Sequence, residues 1–242
     1  ENIALDEALL LYAENSGEPL EFLRLWEPAA PLVVIGRGSN LDTEVDAGAC
    51  RQDGVPILRR CSGGLAIVAA PGCLMYAVVL SHFQRPGIEA VDVAHRHVKQ
   101  TLLSTLSRID PRVTHDGVSD LVIGDRKFSG NSLRCKRTHL LYHGTLLYDM
   151  DLSLVTRYLR TPHREPEYRQ GRPHDAFLTQ LETDTATLRQ AVVDAWRPEG
   201  VLVDWPRELT REMAQGVSRD SQRAAFDAPP GGTSGGEADS IP

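Results

Sequence analysis

Arg59-Arg60-Cys61-Ser62-Gly63-Gly64-Leu65-Ala66-Ile67-Val68-Ala69-Ala70-Pro71-Gly72-Cys73 places two arginines before a small hydroxyl residue and two glycines. A β-type apolar run follows, and Pro71-Gly72 closes it. Glycines let a backbone approach a ligand closely and adopt positive φ. Free N–H groups in such a turn form an anion-binding concavity, and flanking guanidinium groups add fixed charge with bidentate geometry. The stretch therefore reads as a loop for an anionic ligand set between two strands. A plain strand-turn-strand corner with solvated arginines fits the same residues.

Outward from this loop, Pro56–Arg59 reads as the strand that enters it and Leu74–Leu80 as the strand that leaves it. Upstream, Ile3, Leu5, Ala8, Leu9 and Tyr12 fall at helical spacing before Gly17. Residues 20–26 alternate as a strand, and Leu32-Val33-Val34-Ile35 is a short buried strand. It ends in Gly36-Arg37-Gly38-Ser39-Asn40, either a simple turn or a second wall of the ligand site. A short helix is expected over 42–52.

Downstream, Val91, Ala94, Val98, Leu102 and Leu106 mark a helix over 88–108, with His95 and His97 expected at its surface or at an interface. Strands at 120–124 and 127–135, joined by Asp125-Arg126, read as a hairpin, followed by a strand at 138–147. A helix is expected over 151–160, a loop over 162–175 and a second helix over 185–197. A strand at 201–203 and a last short helix complete the pattern. Residues 216–242, rich in Ser, Gly and Pro, read as a disordered tail after a domain spanning 1–215. Strands clustered in the middle with helices before and after indicate an α+β fold.

Composition bounds the function. The chain has 242 residues and a formal net charge of -7, which argues against a nucleic-acid partner held by bulk charge. Its basic residues are clustered, as at Arg59-Arg60 and Arg126-Lys127, which suits a compact anion. Three lysines occur, Lys99, Lys127 and Lys136, so the placement of each is informative. The four cysteines form no C-x-x-C pair, and reduced thiols are the expectation. No membrane-spanning run and no signal peptide are visible, so a cytoplasmic location without a membrane partner is expected. Dinucleotide, P-loop, zincin and serine-hydrolase motifs are absent.

Several segments, in order, resemble one family. Arg59-Arg60-x-Ser62-Gly63-Gly64 is similar to the R-R-x-S-G-G-G loop of lipoate–protein ligase A and its relatives. Asp120 with Gly124-Asp125-Arg126-Lys127-Phe128-Ser129-Gly130-Asn131-Ser132 resembles the family's N-D-L and G-x-K-[IVF]-[SA]-G-[NS]-[AS] segment. His143-Gly144-Thr145-Leu146-Leu147 resembles its H-G-T-L-L strand, and Gly36-Arg37-x-x-Asn40 its G-R-x-Q-N turn except at Ser39. The opening Asn2–Glu7 also matches, so the resemblance runs from residue 2 to about 182. The chain departs from the pattern at Leu65, where the family carries a third glycine, and at Ala69, where relatives carry His.

The resemblance implies the biotin/lipoate ligase catalytic-domain fold, a mixed, mostly antiparallel sheet flanked by helices. It implies ATP-dependent activation of lipoate or octanoate to an acyl-adenylate, with Mg2+ accompanying ATP and no tightly bound cofactor. Transfer then follows to a lysine of a lipoyl-accepting domain, either of a 2-oxo acid dehydrogenase E2 component or of the glycine-cleavage H protein. Lys127 is implied as the catalytic residue; read alone, it also suits a hairpin-edge lysine that blunts aggregation. Arg37, Asn40, Arg59, Arg60, Ser62, Gly63, Gly64, Asp120, Gly130, Asn131, His143 and Gly144 are implied to bind substrate or adenylate. No metal ligands are expected. An ATP-independent acyltransferase using a cysteine thiolate, a non-catalytic binding homologue and a biotin ligase, whose G-R-G turn Gly36-Arg37-Gly38 resembles, stand as alternatives. The ligases' separate accessory domain is not expected after residue 215.

Overall fold

The computed structural model describes residues 1–162 and 164–215. The tail expected over 216–242 lies outside them. Helix α1, Asn2–Ser16, ends at Gly17 in the left-handed conformation (φ 73°). Strand β1, Phe22–Trp26, leads to β2, Leu32–Ile35, buried along its whole length. The helix expected over 42–52 is two helices, α2 (Leu41–Glu44) and α3 (Ala47–Asp53). Extended backbone at Val45 and the Asp46 cap of α3 divide them. Strands β3 (Ile57–Arg59) and β4 (Ile67–Ala69) flank the arginine-glycine loop, and β5 (Cys73–Ser81) follows.

Helix α4 spans Val91–Ile109. A strand that the sequence pattern does not signal, β6 (Val113–Asp116), pairs with β7 (Asp120–Ile123), which pairs with β8 (Arg126–Ser129). The single strand expected over 127–135 breaks at Gly130. Its second half, β9 (Asn131–Cys135), joins β10 (His139–Leu147) in a different sheet. Helix α5 (Ser153–Tyr158) follows. The expected loop over 162–175 carries a 3-10 turn at Glu167–Arg169 and the start of α6, His174–Phe177. Helix α7 is Thr185–Trp196, capped by the Asp184 carboxylate. Residues 201–203 form no strand, and Val201 and Val203 are 90% and 81% exposed. Residues 207–215 are helical.

The strands form three sheets, ordered β1-β5-β10-β9, β3-β2-β4 and β6-β7-β8. Among pairings of the named strands, β2–β3 is parallel and the others antiparallel. Strand β5 is buried at every residue because both its faces are covered. On one face, Leu9, Leu10 and Ala13 of α1 pack on Ala77, Val79 and Leu141. On the other, Tyr76, Val78 and Tyr142 join Ala94, Val98 and Leu102 of α4 in the main core. The buried stripe of α1 includes Leu10 and Ala13, and Tyr12 is 40% exposed, so the helix is rotated from the face expected. Burial of a residue such as Leu10 or Leu102 is worth about 1.5–3 kcal/mol relative to exposure.

The register between β5 and β10 positions the site. His143 pairs with Ala77 and Gly144 with Tyr76. Adjacent residues on a strand face opposite sides. His143 thus turns toward α1 and the loop, and Tyr142 toward α4.

Candidate active site

The two arginines that open the loop make hydrogen bonds within and beside it. Arg60 is 8% exposed. It donates from Nη1 to Val34 O (3.2 Å), from Nε to Ser62 Oγ and Gly63 O (both 3.1 Å), and from Nη2 to Gly63 O and Leu65 O (2.5 and 3.0 Å). Its guanidinium is thus the internal frame of its own loop. Burial lowers its pKa to about 10, which leaves it charged at neutral pH. Arg59 donates to the carbonyls of Gly36, Arg37 and Ser39 at 2.7–3.3 Å and so ties the 36–40 turn to the loop. Ser39 completes the link by donating to Gly64 O at 3.1 Å. Gly64 lies at φ 86°, and a Cβ there would come within 2.8 Å of Arg60 Nη2. Leu65 has no positive φ, so leucine sits there without backbone strain.

Of the other residues of the two loops, Arg37 is exposed. Asn40 caps α2 by accepting from Asp42 N. Gly63 offers its carbonyl to Arg60 and, at 2.9 Å, to Ser132 Oγ of β9. That last bond sets the loop against the strand that follows Lys127 and Gly130. Ala69 is fully buried in β4 opposite Leu32.

Ser62 is 1% exposed, and its Oγ lies 2.6 Å from His143 Nε2. His143 Nδ1 lies 3.0 Å from Asp6 Oδ2, and Asp6 Oδ1 accepts from Arg24 Nη1. The direction of this chain follows from its ends. Arg60 donates only, so Ser62 Oγ accepts from it and can offer its proton to Nε2; the Asp6 carboxylate accepts only, so Nδ1 carries a hydrogen toward it. One polar chain therefore runs from the loop through β10 to α1. Asp6 was not among the expected site residues, although it lies in the Asn2–Glu7 segment that resembles the family's opening helix; its role shows only through its contact with His143.

On the other side of Gly130, Lys127 Nζ forms an ion pair with Asp120 Oδ1 at 2.9 Å. Tyr168 donates its hydroxyl to Asp120 Oδ2 at 2.7 Å. Lys127 folds back over Gly130, where a Cβ would come within 2.8 Å of its Nζ and Cε. Asn131 accepts from Tyr76 OH at 2.6 Å and donates to Ser119 O at 2.5 Å, and it packs on Gly144 where a side chain would collide with it. Asn131 thus holds the chain segment that delivers Asp120.

The segment expected to be a plain loop is a strap across the β7–β8 hairpin. Arg172 pairs with Asp125 at 2.8 Å and stacks on Phe177, and Thr179 N donates to Lys127 O at 2.9 Å. Tyr168, the residue of this strap that reaches Asp120, was missed; its neighbours show no periodicity that would have marked it. His95, expected at the surface or at an interface, is 8% exposed, and its Nδ1 lies 2.8 Å from Tyr142 OH.

The thiols are held protonated. Burial raises the pKa of Cys61 and of Cys73 to about 12 and that of Cys50 to about 11, and it raises that of Cys135. No group of three or more His, Cys, Asp or Glu residues suited to a metal occurs among the described residues.

The model of the lipoyl protein ligase A/B catalytic domain matches residues 1–195. The chain belongs to this family. It is 30% identical over 158 residues to a Mycoplasma pneumoniae protein named "Probable lipoate-protein ligase A", an alignment covering 65% of this chain and 45% of that protein. The chain thus spans about half the length of the ligase relatives it matches. It is 28% identical over 241 residues to "Octanoyltransferase LipM" of Symbiobacterium thermophilum, covering 90% of this chain and 81% of the relative. The family therefore includes both lipoate ligases and octanoyltransferases.

Solved structures share the fold. The bipartite lipoate protein ligase of Thermoplasma acidophilum, determined with its E2 lipoyl domain, superposes with a TM-score of 0.75 at 19% identity, covering 95% of this chain and 92% of that one. A lipoate-protein ligase A bound with ATP superposes with a TM-score of 0.72 at 20% identity, covering 88% of each chain. The expected catalytic-domain fold is thereby borne out. No helix among the described residues is long and apolar enough to cross a membrane.

Proposed function

We propose that this chain is a lipoate–protein ligase. A carboxylate oxygen of lipoate or octanoate attacks the α-phosphorus of ATP and pyrophosphate leaves. The ε-amine of an acceptor lysine then attacks the acyl carbonyl, AMP leaves, and the amine proton passes to solvent. The observation that carries this reading is the placing of Lys127. It is a half-buried cation fixed by Asp120, and Ser132, on the strand that follows it, holds Gly63 of the arginine-glycine loop. A fixed ammonium stabilises charge that develops on phosphate and carbonyl oxygens in both steps. Arg59 and Arg60 serve as framework in this reading, and Arg37, being exposed, remains a cation available to ATP. Mg2+ keeps most of its waters and binds through one or two carboxylates and substrate phosphates. Both Asp120 oxygens are engaged by Lys127 and Tyr168, so in this reading Mg2+ would be held mainly by the ATP phosphates and water. ATP and lipoate as ligands are supported by relatives of the same fold described with each of them bound. A lipoyl domain as acceptor is supported by the Thermoplasma pair.

The nearly full-length match to octanoyltransferases favours a second reading, acyl transfer from a carrier protein. That route needs a nucleophilic thiolate. Buried thiols with pKa values near 11 and 12 weigh against it. ATP–pyrophosphate exchange with lipoate, octanoate and biotin tests the proposal. Exchange with lipoate that Lys127→Ala abolishes supports it; no exchange with any acid refutes it.

A further inference from the structure

We propose that the pocket between the first half of α4 and the β6–β7 turn binds a phosphate-class oxyanion. The pocket has a volume of about 420 Å³ and is lined by Asp92, His95, Arg96, Lys99, Gln100 and His115, with Val118 at its rim. Neither Lys127 nor any residue of the 59–65 loop lines it. The pocket adjoins the site of the ligase reading through Asp120, whose charge reaches Lys99, but its lining residues are distinct and the inference does not rest on that reading.

Lys99 decides the chemistry. It is 8% exposed, yet it makes no hydrogen bond or ion pair with any described residue. The side chain is buried along its length while its ammonium lines the pocket, a charge without a counter-ion among the described residues within ion-pair distance. Burial lowers its pKa, with Asp120 and Asp116 acting in the opposite direction. The only carboxylate in the lining, Asp92, is already paired with Arg96 at 3.2 Å. His95 turns Nδ1 to Tyr142 OH, which leaves its Nε2 for the pocket.

The remaining lining is an ammonium, two imidazoles, an amide and a guanidinium. All of them offer N–H groups, and they come from two elements. A metal ion is excluded by the ammonium. An apolar ligand would leave Lys99 unpaired. A phosphate presents several acceptor oxygens in different directions, which matches donors converging from α4 and β6. The volume leaves room for a group esterified to that phosphate.

The test follows the imidazole resonances of His95 and His115 during titration with inorganic phosphate, pyrophosphate, glycerol phosphate and acetate. Phosphate should shift both signals saturably, and acetate should bind more weakly. Lys99→Gln should weaken phosphate binding at least tenfold, while Lys127→Ala leaves it unchanged. Tighter binding of glycerol phosphate would assign an esterified phosphate, and tighter binding of inorganic phosphate or pyrophosphate a free one; both support the proposal. Unsaturable shifts, equal binding by Lys99→Gln, or loss in Lys127→Ala would overturn it. Should Lys99→Gln fail to fold, Arg96→Gln on the exposed side of the pocket carries the same comparison, with a smaller loss expected and unchanged binding counting against the site.

Discussion

Lys127 Nζ and Asp120 Oδ1 are 2.9 Å apart, and Tyr168 occupies the second oxygen of the same carboxylate. The lysine comes from the far strand of a hairpin, the aspartate from its near strand and the tyrosine from a strap some forty residues on. Lys127→Ala should lower ATP–pyrophosphate exchange by about 10²–10³, the usual effect of removing a group that stabilises transition-state charge. Tyr168→Phe leaves the ion pair but frees Asp120 to turn. Loss of one such hydrogen bond, about 1 kcal/mol, should lower exchange roughly fivefold. Wild-type rates in Tyr168→Phe would show that Asp120 holds Lys127 unaided.

Asp6 sets the polarity of the chain that reaches Ser62 through His143. Asp6→Asn keeps the shape but can present an N–H to Nδ1, which moves the ring proton to Nε2 and opposes the Ser62 hydroxyl. The nitrogen-15 shifts of His143 should report the exchanged tautomer, with a stability loss of about 1–3 kcal/mol from the mismatched buried bond. An unchanged tautomer in Asp6→Asn would remove Asp6 from this role.

The cysteines offer a direct discrimination between ligase and transferase. Thiols with pKa raised to about 12 hold almost no thiolate at pH 7. Cys61→Ser and Cys73→Ala should each retain exchange activity within about twofold per folded molecule, since neither thiol takes part in the ligase chemistry. A hydroxylamine-labile acyl-enzyme that disappears in either variant would establish the transferase instead.

Glu14 links α1 to the turn before β10. Desolvation opposes its ionisation, but bonds from the Thr138 hydroxyl and from the backbone N–H groups of Thr138, Arg137 and His139 together lower its pKa below the ordinary glutamate value. A depressed folded-state pKa contributes stability that is fully present above the unfolded value, near 4.3, and is lost as pH falls through the folded one. Glu14→Gln should therefore melt below wild type at pH 7, and the gap should close as the pH falls through the acidic range below 4.3. A gap of constant size across that range would mean that the charge plays no part.

The local patterns carried much of this. The apolar run Leu74–Leu80 marks a strand buried on both faces, and the spacing of Val91, Ala94, Val98 and Leu102 marks α4. The ordered segments around Ser62, Lys127 and His143 marked the family, because a loop-and-strand motif is written in consecutive residues. What consecutive residues cannot express is which side chains meet across elements. Arg60 has the composition of a ligand-binding cation, and only burial against Val34, Ser62 and Leu65 makes it a frame. Gly130 lies inside a strand-like run, yet the two halves of that run enter different sheets there. Asp6 and Tyr168 became site residues through contacts spanning 137 and 48 positions. The sequence by itself determined the elements and the family, since both depend on local pattern. The tertiary structure decided the partners of Asp6, Arg60 and Lys127 and the burial of Lys99, since burial and hydrogen-bond satisfaction are properties of the packed whole.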